Sequence, residues 1–459
     1  MALALSEKHV LGRNQNKIYL RVADSRNPSN GRKVIHPILG IALALCDGTR
    51  TFEQLVSDLS YSLGVSSEQA DVFLRNFTKE NPNVVVESDQ PNSRFNPLDF
   101  VVPADKIDLR PDDWDAPFSV VYIPTFRCSR RCLYCYADRN HQSDSTPLAR
   151  SLSIIEEMKD IGVAIIQFSG GDPFMLKEFP AILRHALKHK IDCFVSTKTV
   201  LQDRIIADLA AMGCPGIQVS VDSADPAVAD RLAGSSGYLE EMIPVIQKLI
   251  SSGISVTTNT VITPINVSGL PTLIDLLANM GIKEMGFAPY GRSYYHHQDF
   301  LFLSDNDRMA LDEAVSCARL KYPNIGFFVG KNLEPSKLTE KQRSEVFVDR
   351  VRCSAGREAV VILPDGKVQL CEQLPPSDER FIVGDLMSQT LAEVWHSQRM
   401  RDSCYPSQAS FPNTVCHSCQ QFDDCHQRGW CFRNALFAYN SPYAPDPLCP
   451  RAPIGRRLA

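Results

Sequence analysis

The chain has 459 residues, 44% of them hydrophobic, enough to bury two or three cores and so to form several domains. Its 48 Lys and Arg against 53 Asp and Glu leave a net charge of −5 with no charge runs, which argues against nucleic acid as the main partner. No apolar run approaches the roughly 20 residues that cross a bilayer, and Met1-Ala-Leu-Ala-Leu5 lacks the basic residues and apolar length of a signal peptide. A cytoplasmic protein with no membrane partner is expected.

Residues 1 to about 88 read as a first unit. Strand-like stretches around Lys17–Ala23 and Lys33–Pro37 precede a helix from Ile38 to Cys46 and a turn at Asp47-Gly48-Thr49. Thr51-Phe-Glu-Gln54 carries a capping-box signature, and Phe52, Leu55, Val56, Leu59 and Leu63 follow at helical spacing. Ser66-Ser-Glu-Gln69 repeats the signature and opens a helix through Phe77. Strands followed by three short helices predict a small winged-helix module. Residues 89–117, rich in Pro, Asp and Ser, read as a linker.

From Phe118 to about residue 300, short apolar runs alternate with helical ones. The runs are Ser119–Pro124, Ala164–Ser169, Asp192–Ser196, Gly216–Val221, Ser255–Ile262 and Glu284–Ala288. Helices are expected over Ala149–Lys159, Pro180–Lys188, Gln202–Met212, Tyr238–Ser251 and Gly269–Asn279. Alternation of this kind predicts a parallel sheet with crossover helices. Six such units fit an open, partial (β/α)6 barrel, with the chemistry at the carboxyl ends of the strands. Residues 301–350 read as a bridging loop and helix, and 351–459 as a Cys-rich domain stapled by metal. The fold class is α/β.

Fifteen cysteines in a large chain without a secretion signal point to metal or catalysis rather than disulfides. Five are scattered, and of these Cys46, Cys193, Cys214 and Cys317 read as small buried hydrophobes. Cys128, Cys132 and Cys135 lie directly after the first strand, where three thiolates on a short loop suit a [4Fe–4S] cluster with one iron left open. Structural zinc would want a fourth protein ligand, and the nearest further Cys is Cys193.

Cys128-Ser-Arg-Arg-Cys132-Leu-Tyr-Cys135 resembles the CxxxCxxC loop of radical S-adenosylmethionine (SAM) enzymes, including the aromatic Tyr134. Ser169-Gly170-Gly171-Asp172-Pro173 ends the second strand, where that superfamily has Gly-Gly-Glu-Pro cradling the SAM amino group; Asp172 stands one methylene short of Glu. Glycines there let backbone approach a ligand closely. Ser196 and Lys198, Ser220 and Asp222, and Asn259 resemble by position the segments that meet the carboxylate and ribose of SAM. The resemblance implies that the open iron chelates SAM and that a reduced cluster cleaves it to a 5′-deoxyadenosyl radical.

Cys353 is followed by twelve residues, Gly366, four residues and Cys371; then come Cys416-x2-Cys419-x5-Cys425-x5-Cys431 and finally Cys449. The pattern resembles the SPASM domain of peptide-modifying radical SAM proteins, with five residues rather than three in the last spacing. The resemblance implies one [4Fe–4S] cluster on Cys416, Cys419, Cys425 and Cys449, and another on Cys353, Cys371 and Cys431, for three clusters in all. Ser354 through Val361 offer no further Cys, so the second keeps an open iron, recruits Cys404, or takes a non-Cys ligand; the open iron is the expectation. Two structural zinc sites are the rival, but seven ligands do not divide into two four-Cys sites.

Leu45-Cys-Asp-Gly-Thr-Arg-Thr-Phe-Glu-Gln-Leu55 with Leu63-Gly-Val-Ser-Ser67 resembles the PqqD-like element of peptide maturases, over roughly residues 15 to 85. There a leader peptide adds as a strand to the sheet edge. Ten Lys and Arg against nine Asp and Glu in residues 1–88 argue against DNA for this module. The resemblances together imply a maturase that binds a precursor peptide through its leader, takes electrons from a flavodoxin or ferredoxin, and installs a thioether or carbon–carbon crosslink. Glu372, directly after Cys371, is the expected base, because sulfatase-maturing relatives carry an acidic residue there. The alternatives are a sulfatase-maturase-like enzyme that makes formylglycine and a non-catalytic iron–sulfur sensor of peptide or DNA.

Overall fold

The computed structural model describes residues 2–23, 32–88, 90, 94–110, 114–138, 145–295, 298–330, 338–350, 353–427, 429 and 431–453. Positions 89, 91–93 and 111–113 of the expected linker, and 331–337 of the bridging segment, lie outside them. Two compact units emerge, Met1–Ser119 with Met158–Ile165, and Val120–Glu157 with Ile166–Ala459. No helix of the described residues is long and apolar enough to cross a membrane.

In the first unit, β1 (Ala2–Leu5) pairs antiparallel with β5 (Val85–Ser88), and β2 (His9–Asn14), β3 (Lys17–Val22) and β4 (Lys33–Ile35) form a three-stranded meander. Helices α1 (Pro37–Leu45), α2 (Phe52–Leu63) and α3 (Ser67–Glu80) follow β4. Both expected capping boxes form: Thr51 and Gln54 open α2, Ser66 and Gln69 open α3, and Gly64 in the left-handed region closes α2. Ile18, Leu43, Leu55, Leu59 and Leu74 bury together, and so do Phe100 and Val102 from the stretch read as a linker. That stretch is also tied to β3, since the wholly buried Lys17 donates through Nζ to Asp108 (2.7 Å) and to the Arg110 carbonyl (2.8 Å).

The second unit is organised by one ten-stranded sheet, whose order is β12-β11-β10-β9-β8-β7-β6-β13-β14-β15. The six expected strands are β6 (Ser119–Tyr122), β7 (Ile165–Phe168), β8 (Asp192–Thr197), β9 (Gly216–Ser220), β10 (Ser255–Ile262) and β11 (Glu284–Pro289), adjacent in chain order. Between them run α4 (Leu148–Ile161), α5 (Phe179–Lys188), α6 (Asp203–Ala211), α7 (Pro226–Ala233), α8 (Tyr238–Ser251) and α9 (Leu270–Asn279). The open order fits a partial barrel. After α10 (Asp305–Lys321), the bridging segment adds a parallel strand, β12 (Gly326–Val329), beside β11.

At the other edge, β13 (Ala359–Ile362), β14 (Lys367–Gln369) and β15 (Ile382–Asp385) extend the same sheet antiparallel to one another, and the Ile123 N–H donates to the Ile362 carbonyl (2.9 Å). The Cys-rich region is thus continuous with the barrel sheet, and Cys371, two residues past β14, is carried to the carboxyl end of β6 and β7. Along β8, β9 and β10 alternate residues are buried against helices, while Ser196, Gln218, Ser220, Thr257 and Asn259 form a half-exposed polar face.

Candidate functional site

The loop bearing Cys128, Cys132 and Cys135 leaves β6 and is pinned at its middle. Arg131 and Leu133 N–H groups donate to the carbonyls of Ala233 and Leu232 at the end of α7 (3.1 and 2.9 Å). Gly234 makes this approach possible, because a Cβ there would sit 2.3 Å from the Arg131 carbonyl oxygen. Burial pushes the Cys128 thiol up to about 11, and the neighbouring Asp172, Cys132 and Cys135 add to the shift.

The Ser169–Pro173 turn lies directly on that loop. Gly171 and Asp172 N–H groups donate to the carbonyls of Thr125 (3.0 Å) and Arg127 (2.8 Å), and a Cβ on Gly171 would meet the Arg127 carbonyl oxygen at 2.1 Å. Gly170, at φ +118°, is hemmed by Ile123 and the Thr125 carbonyl. The two glycines therefore let one loop backbone close on another, a packing reason absent from the sequence reading. Asp172 is buried and accepts from Thr197 Oγ1 (2.8 Å) and the Lys198 and Phe174 N–H groups (2.8 and 3.1 Å). Its carboxylate thus fixes the end of β8 and caps the one-turn helix that Pro173 begins.

Lys198 and Asp222, expected as separate ligand contacts, meet each other. Lys198 Nζ lies 2.5 Å from Asp222 Oδ2 and donates to Tyr134 Oη (2.6 Å), and the Tyr134 hydroxyl also donates to Asp222. The ammonium stands over the rings of Tyr134 and Tyr238, at 5.2 and 5.1 Å. Asp222 Oδ1 accepts from the Val261 N–H (3.0 Å), so the cluster ties the cysteine loop to the ends of β8, β9 and β10. Sequence reading missed Tyr238 and Arg130, which donates to Glu241 (2.6 Å) and the Lys198 carbonyl (3.3 Å). Ser220 and Asn259 are register partners on β9 and β10, and Ser196 shares their face.

Glu372 reaches the same place from the C-terminal region. Its Oε2 accepts from Tyr136 Oη (3.2 Å) and Ser169 Oγ (3.4 Å), so residues next to Cys135, Gly170 and Cys371 converge on one carboxylate. Burial raises the Glu372 pKa, while the Tyr136 and Ser169 hydrogen bonds oppose the rise. Gly170, Tyr136, Asp138, Tyr295, Glu372 and Gln373 line one pocket here.

Cys416, Cys419, Cys425 and Cys449 wall a second pocket together. Burial and then the other three sulfurs push the Cys416 thiol up to about 12. Arg350 Nη2 lies 3.3 Å from Cys425 Sγ, and Arg451 Nη1 lies 3.4 Å from Cys419 Sγ. Burial first pushes the Cys371 thiol up to about 12, with Glu372, Cys431 and Cys353 adding, and Cys431 likewise adds to the rise at Cys353. Cys404 is buried, with its thiol 3.7 Å from Met400 Sδ and in the space a Cβ on Gly356 would fill, and Cys353 acts on it through space. Of the scattered cysteines, Cys46 and Cys214 are buried and Cys193 half-buried, but Cys317 is exposed on α10, a correction to the expected core role.

The donor sets fit iron–sulfur clusters. Burial disfavours the lone thiolates of Cys128, Cys353, Cys371, Cys416, Cys425 and Cys431, and metal coordination offsets that cost. Four sulfurs sharing one zinc at about 2.3 Å would lie about 3.8 Å apart, yet no three of these sulfurs fall within 4.8 Å of one another. Thiolates seated on separate irons need that wider spacing.

Residues 122–277 match the model of the radical SAM superfamily, and residues 353–420 that of SPASM, an iron–sulfur cluster-binding domain. With the cysteine loop at its place after β6, the chain carries a radical SAM domain, the kind that works with SAM and an iron–sulfur cluster, and a C-terminal SPASM domain. Among curated proteins, the mycofactocin maturase MftC of Mycolicibacterium smegmatis is 26% identical over 345 residues, covering 73% of this chain and 83% of that protein. The PqqA peptide cyclase of Xanthomonas axonopodis pv. citri is 26% identical over 352 residues, covering 74% and 89%. The fold matches that of Streptococcus suis SuiB bound to S-adenosylmethionine, with a TM-score of 0.64 at 17% identity over 97% of this chain and 99% of SuiB.

Proposed function

We propose that this chain is a maturase of a ribosomally made peptide, using three [4Fe–4S] clusters and SAM to install a thioether or carbon–carbon crosslink. The observation that carries the reading is the convergence of Tyr136, Ser169 and Glu372, which joins the first cysteine loop, the Gly-Gly turn and the Cys371 loop around one pocket. The relatives' names, a peptide cyclase and a maturase, support the substrate class, as does a SuiB structure bound to its precursor peptide SuiA.

Cys128, Cys132 and Cys135 would hold the cluster that binds SAM; when loaded, this group supplies a 5′-deoxyadenosyl radical for hydrogen abstraction. The Ser169–Gly171 backbone and the polar face of Ser196, Ser220 and Asn259 bind and orient SAM. Lys198, Asp222 and Tyr134 hold the loop on the sheet rather than the ligand. Cys416, Cys419, Cys425 and Cys449 would hold one auxiliary cluster, and Cys353, Cys371 and Cys431 would hold the other, where a substrate thiolate would make up for the missing fourth cysteine. Glu372 Oε2, half-buried and held by two hydroxyl donors, accepts a proton from the substrate. A flavodoxin or ferredoxin supplies the reducing electron.

Residues 1–88 capture the leader by adding a strand beside β2 or β4, the two edges of the meander. Because Phe100 and Val102 share that unit's core, deleting 1–88 would strip a packed surface, so the whole chain is the right object for a test. Hydrogen–deuterium exchange of the cluster-loaded protein, with and without a precursor peptide encoded beside its gene, should show new protection in β2 or β4. Protection confined to residues 120–453 would overturn leader capture by this unit.

A further inference from the structure

Outside the cysteine sites, one group of donors has no part in the account so far. Glu156 on α4, with His185 and His189 of α5 and its C-cap, place their donor atoms all within 4.8 Å of one another. His185 Nε2 lies 3.1 Å from Glu156 Oε1, and the two imidazoles stand edge to face with centroids 4.6 Å apart. An ion pair accounts for His185 and Glu156 but leaves His189 unexplained. Residues four apart on a helix share a face, so the two imidazoles turn toward the same carboxylate. Two imidazoles and one carboxylate form a donor set that suits zinc and its neighbours in the first transition row.

We propose that Glu156, His185 and His189 form a binding site for a zinc-class divalent cation, separate from the iron–sulfur centres. Ligands of one zinc at about 2.0–2.2 Å lie roughly 3.3 Å apart, so the trio needs only to draw together, which rotation of half-exposed and exposed side chains provides. Water takes the remaining position. The ion fastens α4 to α5, the helices that lead into β7 and β8, whose ends carry the Ser169–Asp172 turn and Thr197–Lys198. It acts as a staple on two of the units that present the SAM site.

The test uses anaerobically cluster-loaded protein given one equivalent of Zn²⁺, with iron counted before and after. Zinc K-edge X-ray absorption then reads the ligands, since nitrogen and oxygen lie at about 2.0–2.2 Å and sulfur at about 2.3 Å. The expected result is one retained zinc per chain in a nitrogen and oxygen shell with imidazole scattering, and iron unchanged. His185→Gln with His189→Gln, and separately Glu156→Gln, should each weaken zinc retention by about tenfold or more while leaving iron content unchanged. No retained zinc, a sulfur shell, or equal retention by the variants would overturn the site. Should a variant fail to fold, the wild-type spectrum decides alone.

Discussion

The two cysteine sets of the C-terminal region are both half-buried and differ in how charged groups meet their sulfurs. Guanidinium groups stand against two sulfurs of the Cys416, Cys419, Cys425 and Cys449 quartet, from Arg350 and Arg451. The trio of Cys353, Cys371 and Cys431 feels Arg357 and Arg433 through space at Cys353 and Cys431, and has Glu372 beside Cys371, turned to Ser169 and Tyr136. Hydrogen bonds to cluster sulfurs and nearby charge set reduction potential. A quartet of four thiolates with cations on its sulfurs suits a closed electron carrier, whereas a three-thiolate set with a carboxylate facing the SAM turn suits handling of substrate. The lesson is that ligand number alone does not assign roles within one domain.

The largest expected effect separates the two sets. Cys353→Ala with Cys371→Ala should cut crosslinked product by about 10²-fold or more, the range lost with a positioned catalytic group, while 5′-deoxyadenosine release continues without coupling. Product formation near the wild-type level would place substrate handling elsewhere. Next comes Glu372→Gln, which should keep the clusters and SAM cleavage but lose at least about tenfold in product, since general bases contribute about 10²–10⁴-fold. Product at the wild-type rate would return Glu372 to supporting the loop.

The smallest effect sharpens the comparison from the quartet's side. Arg350→Met and Arg451→Met each remove a cationic donor from a sulfur, so the midpoint potential of one cluster should fall by tens of millivolts, with about 59 mV equal to 1.4 kcal/mol for one electron. Redox titration followed by electron paramagnetic resonance should show the other two clusters unmoved. A shift shared by all three, or none, would mean the arginines serve the fold rather than the quartet.

What was legible in the sequence was local. The cysteine loop, the capping boxes at Thr51 and Ser66 and the six barrel strands each declare themselves within a few consecutive residues, and the structure places all of them. Contacts between distant stretches were not legible. Tyr134, Lys198 and Asp222 are 64, 88 and 24 residues apart by pairs, and only the closing of the sheet brings them together. A polar residue at a strand end gives no sign whether it will meet a ligand or another strand end. The edge pairing that carries Cys371 to Ser169 left no mark either, because β13 and β14 are too short for a periodic signal. Residues 89–117 read as a linker from their composition, yet Phe100 and Val102 within them are core residues of the first unit.

The central claim is tested most directly by SAM cleavage. Anaerobically reconstituted protein, reduced with dithionite and given SAM, should release 5′-deoxyadenosine detectable by mass spectrometry. A variant with Ala at Cys128, Cys132 and Cys135 should retain about two thirds of the iron, as loss of one cluster in three requires, and release none. Iron-loaded wild type that yields no 5′-deoxyadenosine, or a triple variant that yields as much as wild type, would contradict the account.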